Sequence, residues 1–475
     1  MPPGSRATKR RDSTLTAATA ELVTTYLADH RAGHLEELER FLAIPSISTL
    51  PAHRGDVRRA ADVLAARMRA AGLPDVEVLE TGGHPAVYGA WLGAPGRPTA
   101  LVYGHYDVQP VDPLERWTTP PFQPAVRDGR IYARGAVDDK GQIWMHLMVA
   151  EAFLKAVGAL PINLKFLMEG EEESGSRGLQ QLVPERRDLL AADIIVISDA
   201  PMFARDVPSL CYGLRGNTAV RLRVSGPDED LHSGLFGGSV HNPLHALAEL
   251  VAGLHDGNGR VTVPGFYDDV LPISDDERAA FAALPFDEAA YQTHLGVPEL
   301  WGEAGYTTLE RIWARPTLDL QGMWGGYQGE GSKSIIPAAA QAIISCRLVP
   351  NQRPERIQQA LIKHLEAHRP QGVQLQMDTR GSGAPALLTP LDTAPVQAAL
   401  SALRHAYGRE AVAIRMGGSI PIAATLTEVL AAPLVLMGFG LPDDNMHAPD
   451  EHFDLSNYDR GQRTLTAYWL GMADQ

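Results

Sequence analysis

Between residues 76 and 200, short apolar runs rich in β-branched side chains alternate with stretches of helical periodicity. No other feature restricts the fold of this chain as much. The runs are Val76–Glu80, Val87–Trp91, Ala100–Tyr103, Leu164–Met168 and Ile194–Ile197, with helix-like Ile143–Val157 and Leu179–Leu189 between the later ones. Such alternation is the signature of an α/β sheet. Upstream, helical periodicity spans about Thr14 to Leu42, ending before Pro45, and a second stretch, Val57–Ala71, stops at Gly72 and Pro74, residues that end helices. After Pro201 the character changes. Ala219–Val224 alternates like a half-exposed strand, Pro243–Leu254 reads as a helix, and residues 264 to 320 are irregular and rich in Pro, Gly and acid. Ala339–Leu348 is another alternating strand and Pro354–Ala367 another helix, a block that suits a small α+β domain. The α/β pattern resumes with Ala394–His405, Ile422–Leu430 and Pro433–Met437. At 475 residues the chain exceeds one ordinary domain. The expectation is an α/β domain over 14–211 and 388–475 with a mostly parallel central sheet, interrupted by an α+β domain over 212–387.

Ligands of open α/β sheets gather at the carboxyl ends of strands. Four of the apolar runs lead into unusual polar residues there. Leu101–Tyr103 runs into Gly104-His105-Tyr106-Asp107, and Phe166–Met168 into Glu169-Gly170-Glu171-Glu172-Glu173-Ser174. Ile194–Ile197 runs into Ser198-Asp199, and Leu434–Met437 leads to Asn445-Met446-His447. A fifth cluster, Arg134-Gly135-Ala136-Val137-Asp138-Asp139-Lys140-Gly141, precedes a helix. So many carboxylates at one sheet edge would repel one another unless a cation sat among them. Imidazole and carboxylate ligands suit zinc, manganese or cobalt. Two such ions, roughly 3.5–4 Å apart, can activate a water and stabilise the oxyanion of amide hydrolysis, while a neighbouring carboxylate carries the proton to the leaving amine.

Other chemistries fit less well. A net charge of −15 disfavours nucleic-acid binding. Cys211 and Cys346 stand far apart and outside any CxxC, which argues against a disulfide framework or thiolate zinc site and for a reducing, cytoplasmic setting. There is no run of eighteen apolar residues, and the basic start (Arg6, Lys9, Arg10, Arg11) is followed by no apolar signal-peptide core, so Met1–Ser13 is expected to be a disordered tail. Gly417-Gly418-Ser419-Ile420-Pro421 lacks the final glycine of a serine-hydrolase elbow, and Gly329–Ser334 lacks the Gly-Lys-Ser/Thr of a P-loop.

Gly104–Pro110, Arg134–Gly141 and Glu169–Ser176 resemble the metal-site motifs of the M20 metallopeptidases, especially the cytosolic non-specific and carnosine dipeptidases. Asp230-Leu231-His232-Ser233-Gly234, Arg347-Leu348-Val349-Pro350-Asn351 and Gly417–Pro421 extend the match, so that it spans nearly the whole chain. The resemblance implies a zinc-peptidase-like catalytic domain holding two divalent ions, zinc foremost, with manganese or cobalt as alternatives. It implies that His105 and Asp199 bind one ion, Glu173 and His447 the other, and that Asp138 bridges them. Glu172 would be the general base and Asp107 would orient His105. His452 is the rival to His447. The inserted domain would be a lid and homodimer interface, from which His232 reaches the partner's active site. Arg347 and Ser419, with Ser334 and Gly418 beside them, would hold the carboxylate of a small peptide substrate. Leu271–Arg315 matches no functional motif and is expected to shape the pocket. N-acyl amino acid deacylases and short-peptide carboxypeptidases share this metal cluster. A catalytically inactive binding protein would be expected to lack a ligand or the base, and neither is missing.

Overall fold

The computed structural model describes the backbone of residues 4–473 except 380 and 382, and side chains from residue 17. The chain divides into two compact units: Met1–Tyr212 with Thr389–Ile414 and Thr425–Gln475, and Gly213–Leu388 with Arg415–Ala424. No described helix is long and apolar enough to cross a membrane.

The first unit is built on a sheet in the order Asp75–Leu79, Ala86–Trp91, Asn163–Glu169, Thr99–His105, Ile194–Ile197, Leu434–Leu436 and Ser209–Leu214, the last belonging to this unit through Tyr212. The α/β class is as expected, but the sheet is mixed. Its four middle strands are mutually parallel, whereas Asp75–Leu79 and Ala86–Trp91 form an antiparallel edge and Ser209–Leu214 also runs antiparallel. The reason is connection length. A parallel neighbour needs a long crossover, while Thr81-Gly82-Gly83-His84-Pro85 is only long enough to turn the chain back.

Against this sheet lies the helix Lys140–Ala152, every residue of which is buried. It packs with Gly4–Leu42, Arg54–Ala71 and Leu455–Ala473, and Phe41, Trp144, Tyr468 and Trp469 fill the space among them. A helix enclosed on all sides is apolar nearly all round, and its polar residues Lys140, Gln142, His146 and Glu151 are each met by a hydrogen-bond or ionic partner. Arg54–Ala71 ends on Gly72, whose φ of 107° supplies the left-handed cap expected there. The first helix departs from expectation. Its backbone is helical from Gly4, because residues 5–32 hold no proline or glycine to stop it; Met1–Pro3 and the side chains of residues 4–16 lie outside the described residues. A small sheet of Ala125–Arg127, Arg130–Tyr132 and His452–Asp454 was not legible in strands so short.

The second unit is α+β. Its antiparallel sheet runs Thr317–Gly325, Ala339–Leu348, Gly216–Ser225, Gln374–Asp378. Ala340, Ala342, Ile344, Cys346 and Leu348 face a core shared with the helices Pro243–Ala252 and Pro354–Ala367, and Arg347 lies on the opposite face. Residues 264–320 are less irregular than expected. They hold three short helices, Asp275–Ala282, Glu288–Leu295 and Thr308–Trp313, capped by the side chains of Ser274, Asp287 and Thr307. The Ser274-x-x-Glu277 and Thr307-x-x-Glu310 patterns were the available signal.

Candidate metal centre

Parallel pairing aligns the ends of the middle strands, and the polar residues that follow them meet at that edge. His105 closes its strand directly beside Glu169, in register, and Tyr103 lies beside Ile197, two residues before Asp199. Gly104 permits the approach behind His105. A Cβ there would lie 2.2 Å from Ile143 Cγ2 and 2.6 Å from Asp139 Oδ2, the oxygen that accepts the His105 backbone N–H.

Asp138 is the hub. Its Oδ1 lies 3.0 Å from His105 Nε2 and its Oδ2 lies 2.7 Å from His447 Nε2. Each imidazole also faces a further carboxylate: His105 Nε2 is 3.9 Å from Asp199, and His447 Nε2 is 3.4 Å from Glu173. The donor atoms of His105, Asp138 and Asp199 therefore form one group with metal-binding spacing, and those of Asp138, Glu173 and His447 form a second. His452, the rival candidate, is buried against Tyr132 and belongs to neither group.

The donor set suits divalent cations. Glu173 Oε1 is buried, and the His447 imidazole at 3.4 Å is the nearest group with a proton to offer it among the described residues. Burial, aided by the Asp138 charge, pushes Asp199 up to about 7, and burial holds Glu172 well above the usual carboxylate range. Hydrogen bonding to Asp138 and Glu173 raises His447 to about 10, so the carboxylates draw positive charge onto the imidazole. Carboxylates this close can all be ionised at neutral pH when cations sit among them.

Neighbouring residues set the geometry. His105 Nδ1 is 3.0 Å from the Asp107 carbonyl oxygen and 3.4 Å from its carboxylate. The two Asp107 carboxylate oxygens instead accept the backbone N–H groups of Glu172 and Glu173, at 3.2 and 3.1 Å. Asp107 thus aims the Glu172–Glu173 turn as well as the His105 ring. Gln109 donates to Glu173 Oε2 at 2.6 Å.

Sequence reasoning missed Glu451, which is fully buried. One of its oxygens accepts Arg134 Nη1 at 2.8 Å and Gly135 N at 3.1 Å; the other accepts Val137 N at 3.1 Å and Asp138 N at 3.2 Å. The loop that carries His447 therefore also pins the backbone of Asp138. Within this loop Asn445 and His447 take left-handed backbone angles, φ 56° and 61°, a cost that such a pinned segment sustains. Nothing in His447-Ala448-Pro449-Asp450-Glu451 distinguishes that glutamate from a solvated one.

The remaining candidates lie in the second unit, in two places. Arg347 Nη1 donates to Ser419 Oγ at 2.9 Å, and Ser419 donates to the Arg215 carbonyl at 2.5 Å, with Gly418 exposed beside it. His232 caps the helix Ser233–Phe236 and pairs with Ile335 in a two-strand ladder. Ser334, grouped with Arg347 in the sequence reading, lies instead next to this ladder, where its carbonyl accepts Ser233 N at 3.1 Å.

Residues 101–471 match the model of peptidase family M20/M25/M40. The chain is similar to human Beta-Ala-His dipeptidase, 32% identical over 96% of this chain and 93% of that protein. The solved structure of the di-peptidase Dug1p from Saccharomyces cerevisiae superposes with a TM-score of 0.85 at 27% identity, covering 96% of this chain and 99% of that one. The M20 metallo-carboxypeptidase Sso-CP2 from Sulfolobus solfataricus gives 0.84 at 31% identity, covering 93% and 99%.

Proposed function

The chain belongs to peptidase family M20/M25/M40, and on that ground we propose that it hydrolyses the peptide bond of dipeptides or very short peptides with a free C-terminal carboxylate. The observation that carries the reading is the Asp138 carboxylate shared between His105 and His447, each beside a second acid. His105 and Asp199 would hold one divalent ion, Glu173 and His447 the other, with Asp138 common to both. When bound, the ions supply Lewis-acid chemistry, lowering the pKa of water and offsetting charge on the scissile carbonyl. Zinc suits this oxygen and nitrogen set best, with manganese or cobalt as alternatives.

Glu172 takes the proton from the attacking water and returns it to the leaving amine. Its raised proton affinity suits that exchange near neutral pH, and the Asp107 hydrogen bonds support its placement. Arg347 grips the substrate carboxylate through its planar fork, oriented by Ser419, with Gly418 leaving the approach open. The second unit mediates homodimerisation, and His232 of one subunit, with Ser334 beside it, serves the site of the other. Buried, reduced Cys211 and Cys346 support a cytoplasmic setting.

The test is hydrolysis of a dipeptide panel by chelator-stripped protein with and without zinc or manganese, including N-acetyl amino acids and an amidated dipeptide. Metal-dependent cleavage of free dipeptides alone is expected. Preference for acetylated substrates would move the enzyme to the deacylases, and no cleavage with any metal would refute the reading. Short-peptide carboxypeptidase activity is the second reading, favoured by the likeness to the Sulfolobus enzyme, and longer peptides in the panel separate the two. Mixing His232→Ala with Glu172→Gln subunits should restore activity if the site is shared.

A further inference from the structure

Leu271–Arg315, the segment that matched no motif, supplies much of the wall of a cavity of about 250 Å³ in the second unit. Another part of the wall is the start of the strand Thr317–Gly325. Thr317 pairs directly with Arg347, so their side chains share one face of the sheet about 5 Å apart, and Asp319 follows on that face. Arg215 also lines the cavity, and it is the residue whose Nε donates to Gly417 O at 3.2 Å and whose carbonyl accepts the Ser419 hydroxyl. The cavity therefore adjoins the Arg347–Ser419 pair.

Its charges do not cancel. Glu303 is committed to Arg315, at 2.8 and 2.9 Å, and to Arg260, at 2.8 Å. Arg215 and Arg311 line the cavity without a carboxylate partner among the described residues. Arg311 gives its Nε to the Glu303 carbonyl, and Arg215 Nη1 is buried with no hydrogen-bond partner among the described residues. The opposing carboxylate, Asp319, is exposed. Burial and then the neighbouring Arg347 charge push Arg215 down to about 10, and the charge of exposed Asp319 offsets them only in part. A cation buried this way is costly unless something anionic meets it.

We propose that this cavity receives an acidic side chain on the C-terminal residue of the substrate, with Arg215 and Arg311 as counter-charges while Arg347 and Ser419 take the α-carboxylate. The inference rests on the dipeptidase reading and names its preferred substrate class, peptides ending in Glu or Asp.

The experiment is kcat/KM for Ala-Glu, Ala-Gln and Ala-Lys, compared as ratios on one protein sample so that the active fraction cancels. The wild type should favour Ala-Glu over Ala-Gln by about tenfold or more, mainly through KM. Arg311→Gln should bring that ratio close to one, and Arg311→Glu should turn the preference toward Ala-Lys. Arg215→Gln should also lower the ratio. Equal wild-type rates on Ala-Glu and Ala-Gln, with both cleaved, would overturn the subsite and leave the dipeptidase reading intact. Cleavage of no dipeptide at all would bring down both.

Discussion

Replacing Glu451 by Gln keeps the shape of a buried side chain and removes its charge. Four donors converge on the carboxylate, two on each oxygen, and one of them belongs to the Arg134 guanidinium. However the new amide sits, its NH₂ must face one pair of donors. Each stranded donor costs about 1–3 kcal/mol, and a buried guanidinium that loses its counter-charge costs about 3–5 kcal/mol. Arg134 keeps the Pro110 carbonyl and the face of Trp117, so about 3–5 kcal/mol is expected for the whole change. Burial raises the Glu451 pKa despite Arg134, so the intact pair adds little net stability; the penalty lies in what the mutation leaves behind. For a unit of this size that is a fall in Tm of roughly 5–8 °C. Because Glu451 also holds the Asp138 N–H, zinc affinity should fall by about 10–100-fold, the usual effect of losing a group that orients a ligand. Calorimetric unfolding and zinc titration of the purified protein read both quantities. Arg134→Met added to Glu451→Gln should recover part of the stability, since the stranded charge is then gone. An unchanged Tm together with wild-type zinc affinity would refute the clamp.

Glu172→Gln should lower kcat by about 10²–10⁴-fold while metal content measured by mass spectrometry stays near wild type; retained activity would mean another base. Gly104→Ala places a methyl group against Ile143 and Asp139 and should cost about 1–3 kcal/mol in urea unfolding together with lost activity. His146 is buried, its Nε2 is 2.8 Å from Ser198 Oγ, and burial pushes its pKa down to about 3. The unfolded chain therefore binds a proton between pH 6.5 and 3 that the folded protein refuses. His146 accordingly makes stability fall with falling pH through this window, by about 1.4 kcal/mol per pH unit. His146→Gln should flatten the slope of stability against pH between 4 and 6.5, and an unaltered slope would place the titration elsewhere.

The fold was legible wherever hydrophobic periodicity was long and unambiguous, as in Ile194–Ile197, Ala339–Leu348 and Pro354–Ala367. It was not legible in the three-residue strands around Tyr132 and His452, which are too short to carry a period. The antiparallel edge at Asp75–Trp91 was written in its short connection, yet a strand's direction depends on its neighbour as well as on its own residues. The residues expected as ligands do gather, because they follow strands whose parallel pairing aligns their ends.

What the sequence by itself determined is therefore the local part: an α/β framework, the edge at which polar residues collect, and the acid-and-imidazole chemistry of that edge. Helix and strand periods, terminators and side-chain types are properties of neighbouring residues, so one chain carries them openly. The tertiary structure alone decided how charges pair. It turned the two Asp138 oxygens toward different imidazoles, gave the Asp107 carboxylate to two backbone amides, and set Glu451 to pin Asp138 from more than three hundred residues away in sequence. It also gave Glu303 to Arg315 and Arg260 and left Arg215 and Arg311, among the described residues, without a carboxylate partner beside a cavity. Coulombic and hydrogen-bond partners are chosen by distance in space, and among 57 acids, 42 lysines and arginines and 16 histidines their order along the chain does not disclose the choice.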